Sequence, residues 1–328
     1  MTRTSPKLIW DNHACPARNL PNRGLESLAR YRAAGVNVVA LNIGDSDFPW
    51  EGVVQLATDI RAYIRQHDDE YLLVDSVADI DAAQASGRMA VFFDLEGVFA
   101  VGTEKSRIGV LNDIGVRWMS LVYNRRNAVG SGVHDDEDEG LTSFGREAVR
   151  EMDRLGVIKC CSHTGYRTAA EALELTNRPT IFSHSNPRAL HDHPRNISDD
   201  LIKACARTDG VVGINGVGIF LGDNDIRIET LVRHIDYVAA LVGVRHVGLG
   251  LDYVFDQAEM DAELARASHL WPPSFGYCPG IRFLQPEKIG VIAEALARRG
   301  YSDEDVSAVM GGNWRRVAEA VWPAKASV

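Results

Sequence analysis

The feature of this sequence that most restricts its fold is a series of short, almost continuously apolar segments, each ending in polar residues or glycine. Strands that are buried on both faces have this pattern, whereas a strand with one solvated face alternates apolar and polar residues. The segments predict eight buried strands, at residues 7–13, 36–45, 89–97, 116–124, 156–165, 179–186, 209–218 and 246–255.

Amphipathic helical patterns separate most of these strands, and glycine often follows the last turn, as at Gly35 and Gly156. The predicted helices between strands cover residues 25–35, 146–156, 168–176, 199–207 and 231–243. Strands that alternate with helices indicate parallel βαβ units. Eight such units within about 250 residues favour a closed (β/α)8 barrel, the TIM barrel, over an open doubly wound sheet.

A chain of 328 residues is compatible with one barrel, so we predict a single domain over residues 1–328. Two extra helices are expected near the C-terminus, at 287–300 and 302–322. The second helix has Ser302 as its predicted N-cap, with Asp305 three residues later.

Two segments outside the predicted strands and helices have distinctive compositions. Residues 256–285 are rich in proline and aromatic residues, which predicts a long loop after the eighth strand that covers the mouth of the barrel. Residues 134–140 are acidic and predict an exposed loop, with a carboxylate cation site as the alternative.

Acidic residues outnumber Lys and Arg by 45 to 35, which gives a formal charge of −10. Nucleic-acid binding depends on clustered Lys and Arg, so we predict no nucleic-acid partner. The five cysteines include adjacent Cys160 and Cys161, which indicates reduced thiols rather than a disulfide framework. Since no signal-like segment and no run of about 20 apolar residues is found, we expect a cytoplasmic protein without a membrane span.

Five residues with metal-binding or acid–base side chains fall at predicted strand ends: His13, Glu96, His163, His184 and Asp252. In a barrel, the carboxyl ends of all strands meet at one face. Imidazole and carboxylate groups that converge there predict a site for zinc or a similar borderline ion.

Cys15 follows His13 by two positions, and residues i and i+2 point to the same side of an extended chain. Because thiolate is a good zinc ligand, Cys15 is a candidate ligand of the same ion. The alternative is that Cys15 is only a small buried residue beside Pro16.

From about residue 8 to residue 321 the chain resembles the renal or membrane dipeptidases, a metallo-dipeptidase family with amidohydrolase-like barrels. The stretches that carry the resemblance are VFFDLEG, SFGREAVREMDRLGVIKCCSHTG, RPTIFSHSNPRAL, HPRNISDD, VRHIDYVAALVGVRHVGLGLDY and GGNWRRVAEAV. The resemblance implies a (β/α)8 hydrolase that cleaves dipeptides or similar small amides with two bound Zn²⁺ ions. It also implies a homodimer, because members of the family are commonly dimeric.

By this resemblance, Glu96 bridges the two ions, His163 and His184 complete the second ion's site, and His13 holds the first ion. If Cys15 does not ligate, the first site keeps only His13 and Glu96, and a single ion is the alternative.

The resemblance also assigns two residues to substrate handling. Arg195 matches the arginine that binds the substrate's free carboxylate, a task that suits a planar guanidinium. Asp252 matches an aspartate that manages the proton of the attacking water.

Two positions depart from the family pattern. The family's His-x-Asp motif is His13-Ala14-Cys15 here, and Tyr123 stands where the family has a histidine that polarises the scissile carbonyl. A phenol donates one hydrogen bond but carries no positive charge at neutral pH. Tyr123, Asn124 and Arg125 are therefore the candidates for stabilising the oxyanion and binding the substrate there.

These departures leave three functions open. The first is a zinc-dependent dipeptidase. The second is a narrow amidohydrolase for N-acyl or N-modified amino acids. The third is a catalytically weak relative that binds a small molecule.

Overall fold

The computed structural model describes residues 6–45, 47–176 and 178–322, and its centre is a sheet of parallel strands. The strands are β1 (Trp10–Cys15), β2 (Val38–Asn42), β3 (Tyr71–Leu73), β4 (Met89–Leu95), β5 (Val116–Ser120), β6 (Ile158–Cys160), β7 (Thr180–Ile181), β8 (Val212–Ile214), β9 (Val247–Leu249) and β10 (Tyr253–Val254).

Eight of the strands follow the order β7-β6-β5-β4-β2-β1-β9-β8, and a parallel bridge between Phe182 and Val212 joins the two ends. The sheet therefore closes into the (β/α)8 barrel that the sequence predicts. Each of the eight strands lies within or next to one of the eight predicted apolar segments.

Two short strands differ from the prediction. β3 pairs with the first residues of β4 and was not predicted. The predicted strand 246–255 is divided into β9 and β10, because Asp252 has a left-handed backbone conformation (φ 59°) that an extended strand cannot continue through. β10 then pairs with the end of β1.

The α-helices surround the barrel. They are α1 (Leu28–Ala33), α2 (Trp50–Gln66), α3 (Val77–Ala85), α4 (Ser106–Asp113), α5 (Ser143–Leu155), α6 (Tyr166–Leu175), α7 (Asp199–Arg207), α8 (Gly218–Leu221), α9 (Ile228–Val242), α10 (Gln257–Arg266), α11 (Ile289–Arg298), α12 (Asp303–Ser307) and α13 (Asn313–Val321). No helix in the described ranges has the length and apolar character needed to cross a membrane.

Two helix predictions and one loop prediction need correction. The predicted helix 25–35 begins as a 3-10 turn before α1, and the segment 256–285 contains α10 rather than loop alone. The predicted helix 302–322 is interrupted by a π-turn at 308–312, where Gly311 has an extended φ of 176°. The Ser302 N-cap is confirmed, since Ser302 and Asp305 form a reciprocal capping box.

The C-terminal helix seals the end of the barrel where the strands begin. Trp322 contacts the rings of Trp10 and Phe92, with centroid distances of 5.9 and 5.2 Å. Trp314 of α13 donates its indole N–H to the carbonyl of Leu249 at 3.0 Å. These contacts leave the opposite end, where the strands finish, as the open face of the barrel.

The acidic run 134–140 forms a partly exposed loop, as predicted. Asp138 accepts hydrogen bonds from the backbone N–H groups of Arg167 and Thr168 at the first turn of α6. A carboxylate at a helix N-terminus satisfies unpaired donors and complements the helix dipole. This capping role accounts for one carboxylate of the run without a cation.

Candidate metal centre

Glu96 lies at the centre of a group of buried histidines. It directly follows β4, and Gly97 after it has φ 78°, a left-handed conformation that glycine adopts easily and that ends the extended strand. Glu96 Oε1 lies 3.0 Å from both His163 Nε2 and His184 Nε2, and Glu96 Oε2 lies 3.4 Å from His13 Nε2. The structure thus brings together four residues that are far apart in sequence.

The backbone helps to aim these side chains. His163 and Asp252 have φ values of 65° and 59°, in the left-handed region that few non-glycine residues occupy. Such conformations cluster at functional sites, where the surrounding structure holds them in place.

Second partners fix the orientation of the imidazoles. His163 Nδ1 lies 2.7 Å from Asn124 Oδ1, while the amide nitrogen of Asn124 donates to the carbonyl of Leu270. An amide oxygen only accepts, so His163 Nδ1 carries the proton and its Nε2 faces the centre with a lone pair. His13 Nδ1 similarly contacts Asp94 Oδ2 at 3.2 Å, which leaves His13 Nε2 toward Glu96.

These residues fit a divalent cation. Glu96 Oε1 is buried and makes no hydrogen bond within the described residues, although two imidazole nitrogens lie 3.0 Å away. The two nitrogens, His163 Nε2 and His184 Nε2, are only 2.8 Å apart. A carboxylate and imidazoles whose outer nitrogens are bound to polar partners are typical of zinc and related metal sites.

Cys15 and Asp252 extend the centre on the side of His13. Cys15 Sγ lies 3.5 Å from His13 Nε2 and 3.6 Å from Asp252 Oδ1. Asn215, directly after β8, donates its side-chain amide to the other oxygen, Asp252 Oδ2, at 2.9 Å. His13, Cys15 and Asp252 therefore form a second group with the composition of a metal site, next to the group of His13, Glu96 and His184.

The electrostatics of the centre favour an ionised carboxylate between imidazoles. Burial alone raises the pKa of Glu96, but His13, His163 and His184 together bring that pKa well below its usual value. Burial also opposes ionisation of Asp252, yet His184 and His13 lower its pKa to about 2. Both carboxylates are anionic at neutral pH.

Tyr123 and Arg195 lie beside the centre in different ways. The Tyr123 ring stacks on His163 at 4.1 Å, and its hydroxyl accepts a hydrogen bond from the Trp271 indole at 3.2 Å. Tyr123 lines the main cavity at the open face of the barrel. Arg195 is 2 % exposed and lines a smaller cavity, and His163 borders both cavities.

Asn124 and Arg125 do not occupy the position expected of oxyanion donors. Asn124 supports His163, as described above. Arg125 donates to the carbonyls of His269 and His134, at the edge of the site. Among the three candidates, Tyr123 is the one that lines the main cavity.

The segment after the last strand covers the cavity, as predicted. Its residues Met260, Trp271, Tyr277 and Phe283 form part of the cavity wall. The cavity has a volume of about 110 Å³.

Sequence reasoning missed several supporting residues. Asp94 precedes Glu96 by two positions, and the spacing argument that linked Cys15 to His13 also places Asp94 on the side of Glu96. Asn215 is a polar residue at the end of a predicted strand, the same signal that identified the histidines. Tyr277 carries no such signal, because it lies far beyond the last strand.

Comparisons with known proteins find similar sequences over much of the chain. The family profile described as membrane dipeptidase (peptidase family M19) matches residues 25–269, beginning after His13 and Cys15. An uncharacterized dipeptidase of Schizosaccharomyces pombe is 33% identical over 228 residues, which cover 68% of this chain and 51% of that protein. A dipeptidase of Aspergillus oryzae is 30% identical over 266 residues, covering 79% of this chain and 58% of that protein. The chain thus spans about half the length of these curated relatives.

Solved structures match over almost the whole chain. An amidohydrolase from Pseudomonas aeruginosa superposes with a TM-score of 0.85 at 27% identity, covering 96% of both chains. A metallo peptidase from Rhodobacter sphaeroides, liganded with a phosphinate mimic of L-Ala-D-Ala, gives a TM-score of 0.80 at 20% identity, covering 96% of this chain and 99% of that one. The latter likeness supports the fold alone.

Proposed function

Because the chain belongs to the membrane dipeptidase family, peptidase family M19, we propose that it is a metal-dependent hydrolase of dipeptides or similar small amino-acid amides. The observation that carries this proposal is the buried cluster of His13, Glu96, His163 and His184 at the open end of the barrel. We propose zinc as the metal, with two ions per chain, or one if Cys15 is not a ligand.

The residues around the metal centre have distinct tasks in this proposal. Bound divalent ions lower the pKa of a coordinated water toward neutrality and act as Lewis acids. Asp252 Oδ1 accepts the proton of the attacking water and returns it to the leaving amine, while Asn215 holds Oδ2. Tyr123 receives the Trp271 N–H on its oxygen, so its own O–H is free to donate to the carbonyl oxygen of the substrate.

Charged groups on two sides of the site orient the substrate. Arg195 binds the carboxylate and fixes the amide for attack. In the main cavity, Arg18 contacts Asp45 and Glu263, and Asp45 Oδ1 has no hydrogen-bond partner within the described residues. We assign Asp45 to the free ammonium group of a dipeptide.

Metal analysis combined with a substrate panel tests the proposal. Gently purified protein should contain zinc and should hydrolyse members of a dipeptide panel. Metal-free protein that stays inactive after zinc addition would refute it. Arg195→Ala should reduce activity strongly on substrates with a free carboxylate.

Two observations favour a second candidate function. Cys15 and Tyr123 replace an aspartate and a histidine of the family pattern, and both side chains lie at the metal centre or its cavity. The substrate of a narrow amidohydrolase, an N-acyl or N-modified amino acid, has no free ammonium group, so Asp45 would bind no such group there. Faster hydrolysis of N-acyl amino acids than of dipeptides would favour this candidate.

The same replacements fit a catalytically weak relative that binds a small molecule. The Cys15→Asp variant distinguishes a catalytically weak relative from a working dipeptidase. If hydrolysis arises only in that variant, the natural protein is not a working dipeptidase.

We also propose that the protein is a cytoplasmic homodimer with one domain and without nucleic-acid or membrane partners. Light scattering of the purified protein measures the oligomeric state.

A further inference from the structure

Tyr277 belongs to the segment that covers the cavity, and the proposed mechanism gives it no task. The residue is 5% exposed and forms part of the wall of the main cavity. Within the described residues, its hydroxyl has one hydrogen-bond partner, His134 Nε2, at 3.1 Å.

The surroundings of His134 decide which group donates in this hydrogen bond. His134 is buried, its ring stacks on Phe275 at 5.1 Å, and its Nδ1 has no partner within the described residues. A proton on Nδ1 would leave a buried donor unsatisfied, at a cost of about 1–3 kcal/mol. Hence the proton resides on Nε2, and His134 donates to the oxygen of Tyr277.

His134 also stays neutral. Burial, together with the charges of Arg195 and His193, lowers the pKa of His134 to about 3. At neutral pH the imidazole therefore has one N–H, and the Tyr277 oxygen accepts a hydrogen bond from it. The phenolic O–H of Tyr277 is left to donate to another group.

Arg195, like Tyr277, is a hydrogen-bond donor close to the ring of Phe220. The Arg195 guanidinium carbon lies 5.3 Å from the Phe220 ring centre, and the Tyr277 ring lies 6.1 Å from the same ring. Arg195 Nε is buried without a hydrogen-bond partner in the described part of the chain. Two donors that have no acceptor within the described residues, one of them cationic, thus lie near the Phe220 ring.

Burial raises the pKa of Tyr277, and the nearby charges of Arg195 and Asp252 act on it in opposite directions. The phenol therefore stays protonated while it lies within electrostatic reach of both residues. A protonated phenol beside a guanidinium is suited to an anion that accepts several hydrogen bonds.

We propose that Tyr277 donates a hydrogen bond to the substrate carboxylate beside Arg195, and that His134 positions Tyr277 for this contact. The inference deepens the proposed function and rests on it for the nature of the substrate. It makes Tyr277 a determinant of specificity for substrates that end in a free carboxylate.

The Tyr277→Phe variant tests the contact with a matched pair of substrates, a dipeptide and the same dipeptide with a C-terminal carboxamide. Losing one hydrogen bond to a charged group should raise KM for the free dipeptide by about 10- to 100-fold, with kcat changed by less than about threefold. KM for the carboxamide should change little. The control is Tyr237→Phe, which removes a hydroxyl bound to Asp199 outside the cavity.

Two variants of His134 test the positioning role. His134→Gln keeps an N–H donor near the position of Nε2 and should retain most of the wild-type KM, whereas His134→Leu should raise KM for the free dipeptide as Tyr277→Phe does. Thermal unfolding of each variant identifies a folding defect. Equal KM changes for both substrates, or none, in Tyr277→Phe would overturn the inference.

Calorimetric binding separates this inference from the proposed function. The ligands are N-acetylalanine and its amide, added to zinc-loaded protein. If wild type hydrolyses nothing but Tyr277→Phe weakens binding of the free acid about tenfold or more, the carboxylate contact stands and the proposed function fails. If wild type hydrolyses dipeptides and Tyr277→Phe binds the free acid as tightly as wild type does, the proposed function stands and the contact of Tyr277 with the carboxylate is refuted. If wild type neither hydrolyses nor binds, both are refuted.

Discussion

At the scale of single residues, the outer nitrogen of each imidazole determines how well the inner one binds a metal. His13 Nδ1 contacts the buried carboxylate of Asp94, and His163 Nδ1 donates to Asn124. Such partners fix the tautomer and the ring orientation, and a carboxylate partner raises the basicity of the ligand. Asp94 should therefore influence metal binding although it is not itself a ligand.

Replacing Asp94 with Asn should weaken metal binding by about 10- to 100-fold, because the side chain keeps its shape but loses its charge. Titration with a competing chelator measures the affinity. The matched control is Asp81→Asn, which removes a carboxylate paired with Arg315 on the surface. An unchanged affinity in Asp94→Asn would show that His13 needs no carboxylate partner.

Cys15 is the residue whose role as a ligand is most easily measured. Its Sγ lies within 3.6 Å of His13 Nε2 and Asp252 Oδ1. In cobalt-substituted protein, a Cys15 ligand should produce a near-ultraviolet sulfur-to-cobalt charge-transfer band. Cys15→Ser should abolish this band and lower the metal content by up to one ion per chain, since serine is a poor zinc ligand.

The control for this experiment is Cys278→Ser, because Cys278 is exposed and lies outside the metal centre. A band that persists in Cys15→Ser would exclude Cys15 as a ligand. The first site would then keep only His13 and Glu96, and one ion per chain would be expected.

At the scale of secondary structure, sequence patterns predicted elements where one physical signal dominates. The apolar segments located the eight barrel strands, because strands buried on both faces have few polar positions. β3 was missed because three residues, Tyr71–Leu73, are too few to show a period. The 302–322 helix was predicted without a break because its apolar pattern continues across Gly311, although glycine has a low helix propensity and Gly311 here lies against the backbone of Leu8.

The same limit applies to the site. Strand ends converge in any barrel, so position alone brought Glu96 and His184 together. No such rule gives the positions of side chains in the segment that covers the cavity. The contact of Trp271 with Tyr123 depends on the path that the chain takes after the last strand. Residues that reach the site from such a segment can be identified only from the three-dimensional structure.

Gly250, directly after β9, permits close approach of the backbone segment that follows β7. A Cβ on Gly250 would lie 2.0 Å from the carbonyl oxygen of Ser183 and 3.3 Å from the Cβ of His184. Gly250→Ala should therefore displace this segment, cost about 1–3 kcal/mol of unfolding free energy and reduce metal retention. Denaturant unfolding and metal analysis measure the two effects.

Gly290→Ala in α11 is the matched control, because no atom lies within 4 Å of the added Cβ. This variant should be neutral or slightly stabilising, as alanine has the higher helix propensity. Full metal content in Gly250→Ala would mean that His184 does not depend on the backbone position of Ser183.

At the scale of the whole molecule, buried neutral histidines couple folding to pH. His234 in α9 is 1% exposed, and its Nε2 donates to the carbonyl of Leu221 at 3.2 Å. Burial lowers the pKa of His234 to about 4, although the hydrogen bond to Leu221 opposes this effect. In the unfolded chain, the same side chain titrates near pH 6.5.

The sign of the effect follows from these two pKa values. As pH falls through 6.5, the unfolded chain binds a proton that the folded protein does not, so the unfolded state is favoured. The stability that His234 contributes is complete above pH 6.5 and is lost as pH falls toward 4. At about 1.4 kcal/mol per pKa unit, the loss is on the order of 3 kcal/mol.

The His234→Gln variant should remove this part of the pH dependence, because glutamine keeps a donor for Leu221 but does not titrate. Urea unfolding of metal-free wild type and variant at pH 7, 5.5 and 4.5 measures the difference without interference from metal binding. The variant should be less stable than wild type at pH 7 and should lose less stability on acidification. The exposed His269→Gln provides the control, and parallel pH curves for wild type and His234→Gln would show that other groups govern acid unfolding.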